Sequence, residues 1–213
     1  MAEFSSKKID FKKGLVIVPR NVKPKLKKSV FDVIAAGHPL PNRNSLKAGK
    51  NLVSFLNQTT KNDFVLFLIS GGGSALSVLP NSISLHEKIL VNEMLIRSGA
   101  NINEIACIRK HLSLIKGGRL IEKMNCKGIS LLVSDVIGDN VDSISSGITY
   151  CDNSTFSDAL KIVKKFSLQN KIPRSTMDVL ESGFNGSIPE TPKKPLMKNI
   201  VILNNSACLS KMK

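Results

Sequence analysis

The chain has 213 residues, with 31 Lys+Arg against 16 Asp+Glu and a formal net charge of +15. Its 42% hydrophobic and 22% charged residues are ordinary globular proportions and exclude a disordered chain. No apolar run reaches the ~18 residues of a membrane span, and Met1–Lys8 lacks the apolar core of a secretory signal. Cys107, Cys126, Cys151 and Cys208 form no CxxC pair, which argues against zinc and for a reduced, intracellular setting.

In chain order, Gly14–Val18 is a short apolar run stopped by Pro19, and Val30–Ala35 is a second; both read as buried strands. Residues 44–56 read as a helix capped by Asn44 or Ser45. Asp63–Ile69 is a strongly apolar strand that runs into Ser70-Gly71-Gly72-Gly73-Ser74. Residues 84–98 read as a helix, with Ser84 as N-cap, Glu87 three residues later and Gly99 as its stop. A helix over 103–115 is broken by Gly117-Gly118. Gly128–Val133 is a strand ending at Ser134-Asp135. A helix over 155–166, capped by Ser154, and a weaker one over 175–180 precede a last strand, Asn199–Leu203. Apolar strands without alternation, separated by helices, imply a parallel sheet covered on both faces. Ligands of such sheets bind beyond the carboxyl ends of the strands, which here means the loops after Ile69 and Val133.

The charge is unevenly spread. Residues 1–28 carry nine basic and two acidic residues, and five lysines with no acid follow Glu190; the body, residues 29–190, holds only +3. Solvated lysine-rich ends explain this better than a nucleic-acid arm. One Tyr, no Trp and a preference for Lys over Arg also argue against nucleic acid.

Four constellations could carry chemistry. Ser70–Ser74 has three glycines that permit positive φ and close ligand approach, with backbone N–H groups and two hydroxyls able to form an anion nest; it matches neither the Walker nor the GxGxxG pattern. Arg109-Lys110-His111 and Lys116-Gly117-Gly118-Arg119 put five cations within eleven residues. On a continuous helix, Arg109 and Lys116 would share a face and could clamp phosphate or carboxylate; a solvated helix face is the alternative. Asp135 and Asp139 offer the one or two carboxylates that Mg²⁺ needs beside a phosphate, or simply turn chemistry. Ile144-Ser145-Ser146-Gly147 adds hydroxyls near the same edge. Gly37-His38-Pro39-Leu40-Pro41 is a proline-stiffened loop that could hold His38 toward a substrate or be a buried turn.

Taken in order, these segments resemble the glycerate 2-kinase family. The resemblance is carried by Gly37-His38-Pro39 with Pro41 and Ser45, by Leu68–Leu76, by Ser98-Gly99-Ala100 and by Ile108–Ser113. It continues through Lys116–Leu120, Ser134-Asp135-Val136 with Gly138-Asp139, Ser146-Gly147, and Glu190-Thr191-Pro192. Asn42 and Ile148 depart from the usual Asp and Pro. The family also has a Gly-Lys-Ala motif just before the segment that Met1–Phe4 resembles, and a C-terminal domain after the strand at 199–203.

The resemblance implies an α/β, Rossmann-like three-layer sandwich with a mainly parallel sheet, residues 1–203 being a large-domain fragment and 204–213 a truncated tail. It implies transfer of the γ-phosphoryl of ATP, with Mg²⁺, to the 2-hydroxyl of D-glycerate. The implied catalytic residues are Arg109, Lys116 and His111. Ser70, Gly71, Gly72, Gly73, Ser74, Arg119 and His38 would bind substrate or phosphate, and Asp135 and Asp139 the metal. The expected setting is cytoplasmic, with a mitochondrial one open for a eukaryotic chain. As a fragment the chain is expected to be inactive alone, with a separately encoded remainder as a partner. A basic binding protein and a non-catalytic remnant are the competing expectations.

Overall fold

A computed structural model describes residues 1–136 and 138–210; the lysines at 211 and 213 lie outside the described residues. After a single helical turn, α1 (Ala2–Ser5), strands β1 (Gly14–Pro19) and β2 (Phe31–Ala36) pair in parallel, from Gly14 opposite Phe31 to Pro19 opposite Ala36. The basic N-terminal stretch is therefore built into the fold, and the Lys25 N–H donates to the Glu3 carboxylate at 2.6 Å. Helix α2 (Arg43–Asn57) packs back on both strands. Its cap is Asn42, ahead of both expected candidates, Asn44 and Ser45: the side chain accepts from the Asn44 and Ser45 N–H groups, and the Ser45 hydroxyl accepts from the Asn42 N–H in return. Asn caps a helix as well as Asp does, so this departure from the family pattern is structurally conservative.

A second parallel sheet holds β3 (Phe64–Ile69), β4 (Lys127–Val133) and β5 (Lys198–Leu203), with β4 central. The crossover from β3 to β4 passes through α3 (Gly73–Leu76), α4 (Leu85–Arg97) and α5 (Ile102–His111). That from β4 to β5 uses α6 (Phe156–Lys165) and α7 (Arg174–Phe184), and α8 (Asn205–Ser210) follows the last strand. The parallel α/β architecture is as expected, but the strands fall into sheets of two and three. Residues 205–210, expected as a tail, are helical, with the Asn204 side chain accepting from the Ala207 N–H at 2.8 Å.

Two apolar cores result. Leu56, Ile69, Ile115, Leu120, Leu132, Ile144 and Ile148 fill one beneath the three-stranded sheet. The other lies among the helices: Val91 and Leu95 of α4 meet Ile105 and Ile108 of α5 and Leu112 just after it, then Phe156, Ala159 and Val163 of α6, Leu168 and Ile172 of the following turn, and Leu180 of α7. Phe156 is fully buried there.

The helix expected over 103–115 ends at His111, because Leu112 leaves the helical path and its successors pair elsewhere. The Leu114 N–H donates to the Leu79 carbonyl, the Asn81 N–H to Leu112, and Pro80 bridges Ser113. Arg109 and Lys116 therefore do not share a helix face. Helix α6 is capped by Thr155 and not Ser154; the Ser154 N–H and hydroxyl are drawn to Asp152 instead.

Candidate functional site: a glycine loop and a group of unpaired cations

The glycine loop sits where β3 ends. Gly72 has φ +80° and starts α3, a backbone conformation that side chains oppose. A different residue lies against each glycine. A Cβ on Gly71 would run into the Asp135 carboxylate, one on Gly72 would come within 2.9 Å of the His38 ring, and one on Gly73 would run into the Ser145 hydroxyl. Three segments distant in sequence thus converge on one turn, and they can do so only because that turn has no side chains.

The loop is held from below. Ser145 donates its hydroxyl to the Ser70 carbonyl at 3.1 Å, the Ser74 and Ser146 hydroxyls bond at 2.7 Å, and Lys116 Nζ donates to the Gly73 carbonyl at 3.0 Å. Ser145, Ser146 and Gly147 all have positive φ. Left-handed backbone at non-glycine positions costs on the order of 1–3 kcal/mol each and clusters at functional sites. Among the described residues, no protein acceptor takes the N–H groups of Gly71, Gly72, Gly73 or Ser74. These donors are the free face of the loop.

Behind the loop stands an unusual electrostatic arrangement. Lys116 is buried, and burial first, then the nearby Lys88 and Arg109 charges, hold its pKa well below the ordinary lysine value. Lys88 is 9% exposed; burial and the Arg109 charge bring its pKa down to about 8. Burial also lowers that of Arg109. None of the three has a carboxylate partner among the described residues. Lys88 was not anticipated from the sequence, although a signal was there: Val91 and Leu95 stand three and seven positions on, so this lysine lies on the buried stripe of α4.

The remaining cations of the sequence cluster have other work. Lys110 is buried between Asp142 at 3.1 Å and Asp152 at 3.3 Å. Burial pushes the Asp152 carboxyl up, but Lys110 and the Ser154 donors outweigh it and hold the group below the usual carboxylate range. The expectation that His111 is catalytic meets a ring with no exposure. Its Nδ1 lies 2.8 Å from the Cys107 carbonyl, its Nε2 lies 3.3 Å from Glu190, and it packs edge-on against Phe156. Both nitrogens are occupied inside the core. Arg119 likewise turns inward and donates one N–H to the Pro189 carbonyl at 2.7 Å, while its buried Nε has no hydrogen-bond partner among the described residues.

Of the two expected metal ligands, Asp135 lies against the loop with no ion-pair partner among the described residues. Asp139 accepts a hydrogen bond from the Asn204 amide. A carboxylate without an ion-pair partner is the kind of hard oxygen donor that a cation such as Mg²⁺ takes; Asp139 is already partly engaged.

Fold and loop together define a parallel α/β protein with a glycine-rich turn of open backbone N–H groups at a strand end. The chain belongs to the family described as "Domain of unknown function (DUF4147)", which matches residues 1–181. It is 41% identical over 201 residues to the glycerate 2-kinase of Pyrococcus horikoshii, covering 93% of this chain and 45% of that protein. It is 40% identical to the D-glycerate 2-kinase of Thermotoga maritima, covering 82% of this chain and 40% of that one. The crystal structure of Thermotoga maritima glycerate kinase superposes with a TM-score of 0.89 at 34% identity, covering 100% of this chain and 50% of that structure. The chain thus spans about half the length of the curated relatives it matches.

Proposed function

We propose that this chain carries the phosphate-handling half of a D-glycerate 2-kinase, which moves the γ-phosphoryl group of ATP to the 2-hydroxyl of D-glycerate. The observation that carries the reading is the convergence of His38, Asp135, Ser145 and Lys116 on the Ser70–Ser74 loop. Relatives named glycerate 2-kinase across this same region support it. Phosphoryl transfer asks a protein mainly to position the groups and to neutralise charge. In this reading the free N–H groups of Gly71–Ser74 bind oxyanions of the substrates, and Arg109 and Lys116 supply positive charge. His38, held against Gly72, faces the substrate. Ser145 and Ser146 keep the turn rigid. Asp135, together with Asp139, would hold Mg²⁺, which when bound offsets phosphate charge. Arg119 and His111 keep the 189–191 segment and α5 in place and do not touch substrate.

The relatives are about twice as long, so the complete cleft is proposed to need a second half. The test is to mix this chain with the remaining half of the Pyrococcus horikoshii enzyme and follow ADP release with D-glycerate and Mg·ATP. D-Glycerate-dependent release is expected, with the phosphate on the 2-position by ³¹P NMR. Ser70→Ala with Gly72→Val should lower it steeply. No release from the mixture, while the intact relative turns over, would overturn the reading.

A further inference from the structure

We propose that Lys88, Arg109 and Lys116 form one binding site for a phosphate-type oxyanion, and that Lys88 is a ligand of it. The site is assembled by the α4–α5 hairpin. Residues just before α4 hydrogen-bond residues just after α5: Asn81 N–H to the Leu112 carbonyl and Leu114 N–H to the Leu79 carbonyl. The helices therefore run antiparallel, and the first turn of α4, which carries Lys88, lies beside the last turn of α5, which carries Arg109. The chain leaving α5 then brings Lys116 to the Gly73 carbonyl at 3.0 Å, which joins the group to the glycine loop.

Three cations gathered at one place without a carboxylate cost free energy in the empty protein. Like charges repel, and desolvation favours the neutral amines; the depressed lysine values record both effects. Lys110, one residue from Arg109, is by contrast buried between two aspartates. The trio is left without them, so its counter-charge comes from outside. A single carboxylate would leave most of that charge uncompensated, whereas a phosphoryl group carries about two negative charges and three acceptor oxygens at neutral pH. Arg109 offers a planar fork and the lysines compact point charges, a pairing suited to phosphate. Within the glycerate 2-kinase reading, on which this assignment of the source rests, the group is the phosphoryl of ATP or of the phosphorylated product.

The experiment titrates the full chain with inorganic phosphate, 2-phosphoglycerate and D-glycerate at constant ionic strength, reading heat of binding and the melting temperature. Phosphate and 2-phosphoglycerate should bind and raise the melting temperature, with D-glycerate at least tenfold weaker. Lys88→Met and Arg109→Met should each weaken phosphate at least tenfold; Lys161→Met, an exposed lysine on α6, should leave it unchanged. Lysine acetylation of the unaltered chain, read by mass spectrometry, gives a second measure: phosphate should slow modification of Lys88 and Lys116 at least fivefold. No phosphate binding, binding indifferent to Lys88 and Arg109, or no protection of Lys88 would each overturn the site. Phosphate binding that obeys these expectations, together with a reconstituted enzyme that ignores D-glycerate, would keep the site and remove the kinase reading.

Discussion

Replacing Lys88 by Met should make the unliganded chain more stable, in a pH-dependent way. The lysine stem lies on the apolar stripe with Val91 and Leu95, and Met fills nearly the same volume. The change therefore removes the charge and keeps the packing. In the folded chain Lys88 titrates at about 8, against an ordinary value of 10.5. Between those values the unfolded chain holds a proton that the folded chain has released, so stability rises with pH across the window. Below about pH 8 the penalty is present in full, and it is relieved as pH climbs toward 10.5. At ~1.4 kcal/mol per pH unit, the window is worth about 3 kcal/mol. Lys88→Met should thus add up to ~3 kcal/mol at pH 7, or roughly 6–12 °C in melting temperature for a chain of this size, and nothing near pH 10.5. Urea unfolding followed by circular dichroism from pH 6.5 to 10, in phosphate-free buffer, measures the difference directly. A variant less stable than the parent at pH 7, or a gap that does not change with pH, would refute the claim that this lysine is held buried against its preference.

Lys110→Met should have the opposite sign. It strands Asp152, which is 1% exposed, and should cost about 3–5 kcal/mol; adding Asp152→Asn should recover part of that loss in the same urea assay. Gly72→Ala forces a side chain to φ +80° within 2.9 Å of the His38 ring. It should cost ~1–2 kcal/mol and weaken phosphate binding while secondary structure by circular dichroism stays intact. Gly183→Ala would drive a methyl into the buried Phe156 ring; such overpacking costs typically ~1–3 kcal/mol, visible as a lower melting temperature. On acidification, the stability that Lys110 and Ser154 give the Asp152 carboxylate, and that the Phe156 N–H and Lys193 give Glu190, should be lost, since both folded pKa values are lowered. The loss begins as pH falls through the ordinary carboxylate range, and urea midpoints between pH 6 and 3 would show it; Asp152→Asn should flatten that fall.

Local signals made most of the fold legible. The apolar runs at 14–18, 63–69 and 128–133 are strands as read, though most of their residues are only half-buried, and capping residues such as Ser84 with Glu87 marked helix starts, because both signals act over a few residues. The glycine loop was legible for the same reason: three glycines after a strand state a backbone need that adjacent residues create. What escaped was anything set by pairing at a distance. The helical pattern of 103–115 outruns the helix because apolar Leu112, Leu114 and Ile115 continue the periodicity, while Leu79 and Pro80, far back in the chain, draw that segment into a bridge.

The cations show the division most clearly. The richness of the Arg109–Arg119 stretch in positive charge, and the glycine turn at the end of β3, are plain in the residue order. Which of those charges meet carboxylates follows from long-range folding. Lys110 meets Asp142 and Asp152, thirty-two and forty-two positions on; His111 is enclosed by Glu190 and Phe156; Arg119 is turned away to the Pro189 carbonyl, with no carboxylate partner among the described residues. Lys88, from another helix, replaces them beside Arg109 and Lys116. A side chain's charge is a local property, but whether it is neutralised depends on partners that chain folding brings in from elsewhere, and that is where ligand-binding residues part from structural ones.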